Sequence, residues 1–205
     1  MTIFDVPTVL MELPGSDRSF SDYRSQLSNR LLDARTLVLN ESLTAAVAGQ
    51  LAEQLAVMEA ESAEPIHFVM SNAPGGEIEA ALSTYDLLRS LTAPVTMLGG
   101  GRIAGAGVIV FVGAPAERRY ALPHVHFQLE EPQATVDSGS ATDLEAAADA
   151  AADRRERILR LLAGATGHSE ERIEEDVSAQ RGFDGEEAVE YGLIQRVVQS
   201  RREIS

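Results

Sequence analysis

The sequence contains no cysteine, no tryptophan and no lysine. The missing thiols exclude disulfides, thiolate metal sites and cysteine nucleophiles, and they suit a reducing compartment. Aromatic residues make up only 5% of the chain, so its core has to come from Leu, Val, Ile and Ala, which the 44% apolar content allows. Every one of the 17 basic residues is arginine, and they face 32 acidic ones, for a formal net charge of −15. A surface this acidic argues against nucleic acid and anionic membrane as partners. No run is long and apolar enough to span a bilayer. The opening MTIFDVPTVLMELPG has no basic n-region and carries Asp5, Glu12 and two prolines, which speaks against a secretory signal. The chain therefore reads as a cytoplasmic, single-domain protein over 1–205.

Hydrophobic periodicity supplies the elements. Residues 1–20 read as irregular or strand-like, and the second half of LLDARTLVLNES (31–42) reads as a strand. Leu43, Val47, Leu51, Leu55 and Met58 recur at helical spacing, which predicts a helix over 43–60. A buried strand follows at 66–71, ending in a turn at Pro74-Gly75-Gly76, then a helix over 77–91 and a strand VTML at 95–98 that runs into glycines. Thr142 and Glu145 have capping-box spacing and predict a helix over 143–163. Ser169 is placed to cap the next helix, and Asp184 with Glu187 opens a short one that Gly192 stops. Strand and helix in alternation predict an α/β fold with parallel strands.

Two strand ends run into glycine-rich stretches, SNAPGG at 71–76 and GGGRIAGAG at 99–107. Glycine lets backbone N–H groups approach a substrate closely, and a following helix adds its positive end. Two such turns side by side can form an oxyanion hole for acyl chemistry, although each alone is equally a tight strand-to-helix turn. Neither is followed by the G-K-[ST] of a phosphate loop.

Taken together, these stretches resemble the proteolytic subunit of the Clp (caseinolytic) protease, a serine peptidase family. Asn72-Ala73-Pro74-Gly75-Gly76 matches the family's N-S-P-G-G, and Gly101 to Val108 matches its G-Q-A-A-S-M-G-A. RRYALPHVHFQLEEP matches R-F-C-L-P-N-S-R-V-M-I-H-Q-P at Arg119, Leu122, Pro123 and Pro132, and EAVEYGL (187–193) is intact. Arg18, Ser19, Phe20 and Tyr23 fit the family's N-terminal R-S-F…Y. The resemblance implies a ClpP/crotonase-like α/β fold of repeated ββα units. An N-terminal segment over 1–20 and a protruding handle strand and helix over about 124–163 go with it.

The same register places the family's catalytic residues, and here the chain departs. Gly105 stands at the nucleophilic serine position, Glu130 at the general-base histidine position and Gln180 at the orienting aspartate position. Amide attack needs a nucleophile, a base to take its proton and a group to hold that base, so the resemblance implies that no member of the triad is intact. The implied oxyanion donors are the backbone N–H groups of Gly76 and Ala106, which survive side-chain loss. No metal site and no cofactor are expected. His124 and His126 share a strand face with Gln128 and Glu130 by alternation, and two residues apart on a strand they are ordinary histidines rather than a zinc pair. His67 reads as a core or interface histidine and His168 as a loop residue.

For assembly, the resemblance implies heptameric rings of Clp-type subunits, with self or with an active paralogue, and docking of a Clp ATPase unfoldase. Phe68, Met70 and Leu98 fall on positions of the unfoldase-docking pocket, each equally readable as a buried strand residue, and Gly100 makes that pocket shallower. Gln133-Ala134-Thr135 replace the glycines of the handle strand. Ser178 and Ala179 replace an acid–arginine link between stacked rings. The leading reading is a catalytically inactive, structural or regulatory subunit. One alternative is an active peptidase with a relocated constellation drawn from His124, His126, Ser138, Ser140 and Asp176. Another is a crotonase-like acyl or peptide binder that uses the residual oxyanion hole.

Overall fold

The computed structural model describes residues 20–131 and 141–204. The chain divides into two compact units between Ala34 and Arg35. The described part of the first unit is helix α1 (Phe20–Asp33). The expected strand-like segment over the first residues lies outside the described part for 1–19.

The second unit is built on a seven-stranded sheet. Strand β1 (Thr36–Leu39) is followed by α2 (Ala45–Glu61), β2 (Ile66–Ala73), α3 (Ile78–Ser90), β3 (Val95–Ala104) and α4 (Ala106–Phe111). Then come β4 (Arg119–Ala121), β5 (His126–Gln128), α5 (Ala141–Thr166) and α6 (Glu170–Ser178). The chain closes with β6 (Gly182–Phe183), α7 (Gly185–Glu190) and β7 (Arg196–Val197). The main path runs β1-β2-β3-β4-β7, all parallel. Strand β3 serves two neighbours: Met97–Gly99 pair with β4 and Arg102–Ala104 pair with β5, which carries β6 antiparallel on its far side. Parallel strands joined through helices need both faces covered, and the strands are accordingly apolar.

The helices begin and end where local chemistry dictates. Thr44 caps α2, its hydroxyl accepting from Val47 N, so the helix starts after Leu43, which is itself fully buried. Leu51, Leu55 and Met58 line the buried face as the spacing predicts, while Val47 is only half-buried and Ala48 takes its place. Arg35 stops α2 from outside: its guanidinium donates to the carbonyls of Met58, Ser62 and Glu64. Ser169 caps α6, and Asp184 with Glu187 forms the expected reciprocal box at α7. Gly192 follows α7 with φ +80°, a left-handed stop. Thr142 lies inside α5 rather than at its cap, since the helix already includes Ala141.

One expectation about β3 needs correcting. Gly99, Gly100 and Gly101 do not form a turn; they continue the strand to Ala104. The reason is packing. A Cβ on Gly99 would lie 3.0 Å from Ile103 Cδ1 and 3.1 Å from Phe111 Cε2, so the missing side chain lets the edge-to-face pair Phe111–Phe127 close over the strand. A residue with a Cβ here would push that pair apart.

Candidate functional site

The carboxyl ends of β2 and β3 carry the two turns of the site, as parallel α/β sheets place their clefts. After β2, Gly75 and Gly76 take φ +135° and +143°. Leu43 N donates to Gly75 O at 2.9 Å and Glu77 N to Leu43 O at 2.7 Å, so the turn is stitched to the start of α2. A Cβ on Gly76 would sit 2.1 Å from Leu43 O, which makes glycine obligatory there. After β3, Gly105 turns the chain into α4 with φ +48° and ψ −116°. Its carbonyl accepts from Val108 N and Ile109 N, and its N–H donates to Gln128 O at 3.2 Å. Among the described residues, the Gly76 and Ala106 N–H groups donate to no backbone carbonyl in these turns. Donors left over at the start of a helix are what helix geometry produces.

A cleft of about 610 Å³ opens between the two turns, lined by Gly75, Gly76, Gly105, Ala106 and Glu130. Its rim is acidic, with Glu77, Glu79 and Glu131. Two arginines of α5 lean on that rim: Arg154 approaches Glu79 at 3.5 Å, and Arg155 bridges Glu131 at 3.0 Å and Glu174 at 2.7 Å. Hydrogen bonds to Glu174 and then to Glu131 raise the pKa of Arg155 above its ordinary value.

Gly105 and Glu130 stand side by side. A Cβ built on Gly105 would lie 3.3 Å from Glu130 Oε2 and 3.7 Å from Glu130 Cβ. Gln180 joins through Gln128, whose Nε2 donates to the Gln180 carbonyl at 3.3 Å, and Gln180 itself holds φ +50°. Gly105 and Glu130 are thus neighbours in the cleft, while Gln180 is reached only through Gln128. Their side chains, however, form no relay: Gly105 has none, and the Gln180 contact is through its backbone.

Sequence reading missed the residue that organises the centre. Arg102 Nη2 donates to Glu130 Oε1 and, at 2.8 Å, to Gln128 Oε1. The β3–β5 register makes this possible, because Arg102 pairs opposite His126 and so reaches along β5 toward its end. Its own N–H donates to Asn72 Oδ1 at 3.2 Å, and Asn72 takes φ +54° to offer that oxygen. The signal was present in the motifs: Arg102 stands against a Gln of the resembled pattern and Glu130 against a His, two substitutions of opposite charge.

The other singled-out residues fall elsewhere. His124 and His126 are exposed, and alternation holds along this stretch, with Val125, Phe127 and Leu129 buried. His168 follows α5 as a loop residue, its ring 4.3 Å from that of Tyr191. His67 is half-buried; desolvation, and then the nearby Arg201, lower its pKa. Asp176, at 5% exposure, accepts from Tyr191 Oη at 2.8 Å and Arg181 Nη1 at 3.2 Å, and forms an ion pair with Arg172 at 2.9 Å. Its carboxylate is engaged by these three partners and by no histidine. Ser138 and Ser140 lie outside the described residues, as do Gln133, Ala134 and Thr135, while Ser178 and Ala179 are exposed. Phe68 and Met70 have no exposed surface and Leu98 has 7%, so in the single chain these side chains fill the interior. Alternation along β2 puts Phe68 and Met70 together on one face of the strand.

A mostly parallel sheet, with glycine turns at the ends of adjacent strands and a long helix after β5, defines an α/β protein of the ClpP-like fold. ClpP1 of Listeria monocytogenes superposes with a TM-score of 0.74 at 27% identity, covering 87% of this chain and 99% of that one. A mutant of the same Listeria protein gives 0.78 at 29% identity with the same coverage. The Clp protease profile matches residues 20–201. The chain is 31% identical to ATP-dependent Clp protease proteolytic subunit 2 of Pseudomonas aeruginosa, over 95% of this chain and 98% of that one. It is 31% identical to proteolytic subunit 3 of Streptomyces coelicolor, over 92% and 86% respectively. The chain belongs to the Clp protease family. Among the described residues, no helix is long and apolar enough to cross a membrane.

Proposed function

We propose that this chain is a non-catalytic subunit of a Clp-type ring, contributing scaffold and cleft but no nucleophile. The observation that carries the reading is the centre of the cleft. Gly105 offers no side chain where attack would start, and the adjacent Glu130 has its Oε1 hydrogen-bonded by Arg102. Family membership supports assembly with other Clp-type subunits, self or an active paralogue, and service to an ATPase, in the cytoplasm. The retained turns with Gly76 and Ala106 leave room for a bound peptide carbonyl without cleavage. A net charge of −15 keeps nucleic acid and anionic membrane out of the partner list.

The test is chemical and then physical. The purified chain should resist labelling by a fluorophosphonate and show no peptidase turnover, alone or with an ATPase. Mixed with an active Clp proteolytic subunit, it should co-elute as one assembly. Serine labelling at any position overturns the reading, and a stable assembly of this chain that refuses active subunits removes the mixed-ring role.

A further inference from the structure

Four of the residues that line the cleft are glutamates, Glu77, Glu79, Glu130 and Glu131, and none of its lining residues is basic. Arginines from outside the lining meet three of the four: Arg102 meets Glu130, Arg154 meets Glu79 at 3.5 Å, and Arg155 meets Glu131 at 3.0 Å. Arg155 also serves Glu174, and Arg102 holds Glu130 through Oε1 alone. Glu77 has no such partner. It is exposed, sits at the N-cap of α3 without bonding a helix N–H, and pairs with no arginine among the described residues. Free carboxylate oxygens therefore border the cleft from two elements, Glu77 from the turn after β2 and Glu130 from just after β5.

Their position decides what the cleft can hold. Glu77 directly follows Gly76, and Gly105 stands beside Glu130 Oε2, so each free carboxylate adjoins one of the two turns. The Gly76 and Ala106 N–H groups suit any carbonyl-type oxygen. A ligand carboxylate placed on them meets two like charges inside a concave site, where the field is focused. A neutral peptide carbonyl does not, and a cation beside it is attracted. A ligand that enters also displaces water from the two carboxylates, so it has to supply donors in exchange. Arginine and lysine carry such donors at the end of a flexible stem, which lets the charge reach the rim while the backbone lies in the cleft. A volume of about 610 Å³ suits a short peptide segment.

We infer that the cleft selects peptide segments with a cationic side chain, the carbonyl resting on the Gly76 and Ala106 N–H groups and the cation paired by Glu77 and the free Oε2 of Glu130. Glu77 is the specificity-determining residue, because no arginine of the described chain shares its charge. Segments that would place a terminal carboxylate on the two N–H groups are rejected by the same acids. The inference rests on the proposed function only in that the held peptide stays whole; the charge preference is independent of it.

The experiment uses the full chain and amidated alanine peptides that carry a neutral dye and, at the centre, arginine, its uncharged isostere citrulline, or glutamate. Fluorescence anisotropy at low salt should show the arginine peptide binding about fivefold tighter than the citrulline one, the scale of a partly solvated ion pair, with glutamate weaker than both. The gap should close as salt is raised. Glu77→Gln should shrink the arginine–citrulline gap to less than about twofold. Both peptides are read on the same variant, so a loss of fold cannot imitate that result. Glu77→Lys should turn the preference toward glutamate. Glu53→Gln, which removes an exposed acid on α2 outside the cleft, should keep the gap. Equal binding of the arginine and citrulline peptides, or none, overturns the inference. So does a gap that Glu77→Gln and Glu53→Gln narrow alike, which reports only the net charge of −15. Mass spectrometry of the recovered peptide separates the two readings: cleavage overturns the proposed function and leaves the charge preference standing.

Discussion

Arg102 and Glu130 join the strands β3 and β5 by an ion pair at the centre of the cleft, beside the side-chain-less Gly105. The pair is partly solvated, at 44% and 27% side-chain exposure, so its stabilisation is modest, about 0.5 kcal/mol after screening. The pair fixes Glu130 Oε1 on Arg102 and leaves Oε2 toward Gly105; a serine placed there would still lack the histidine and aspartate that activate a serine nucleophile.

On the proposed non-catalytic role, Gly105→Ser should fold without gaining peptidase activity. Its φ of +48° and ψ of −116° strain a side-chain-bearing residue, costing about 1–3 kcal/mol in denaturant unfolding. Fluorophosphonate labelling should stay at the level of the parent chain, and robust labelling of the new serine would show that the site activates a serine without the histidine and aspartate.

Arg102→Gln and Glu130→Gln should each change stability by less than about 1 kcal/mol, with a coupling in the double mutant of about 0.5 kcal/mol that fades in high salt. A coupling several times larger, or one indifferent to salt, would mean the pair is more enclosed than its exposure says.

Gly76→Ala should be among the most damaging single changes, because the new methyl meets Leu43 O at 2.1 Å; a loss of about 4 kcal/mol or failure to fold is expected. Gly164→Ala is the matched control. Nothing lies within 4 Å of its Cβ position in α5, so helix propensity alone should raise stability by about 0.5–1 kcal/mol. Thermal unfolding of both variants checks the contrast.

Asp176 ties α6 to Tyr191 just after α7, and its titration has a definite sign. Burial alone would raise its pKa, but hydrogen bonds from Tyr191 and Arg181 and the charges of Arg181 and Arg172 hold it below the ordinary 3.8. Stability from this group is present above pH 3.8 and is lost as pH falls through the depressed native value. Tyr191, by burial first and then by its bond to Asp176, titrates far above its ordinary range and stays a donor. Tyr191→Phe should cost about 1–2 kcal/mol near neutrality and shift the acid limb of the stability–pH curve upward, read by thermal melts from strongly acidic to neutral pH.

Local rules made much of this fold legible. The stripe of Leu51, Leu55 and Met58, the cap at Ser169 and the box at Asp184 and Glu187 each depend on neighbours within one or two turns, and each is where the spacing puts it. The run of the strand through Gly99–Gly101 was not legible, because glycine alone signals a turn, and it is the pairing of Gly99 with both β2 and β4 and of Gly100 with β2 that carries the strand on. Gly105, Glu130 and Gln180 could be pointed to from motifs, and of these Gly105 and Glu130 are neighbours. Arg102 could not be connected to Glu130 in advance, since their meeting depends on the parallel register of two strands far apart in sequence. Phe68 and Met70 show the opposite limit: an apolar strand position looks the same whether it faces a partner or the core.

The long helix α5 has unequal halves. Ile158, Leu159 and Leu162 are buried, whereas every residue from Glu145 to Ala150 is exposed. An alanine-rich stretch of that length does not hold itself helical in water; it survives by propagation from the anchored half. In the free chain, amide protons should therefore exchange in a gradient, slow near Leu162 and quickening steadily toward Ala146. Anything that grips the outer half would flatten that gradient, so α5 carries its own reporter of assembly.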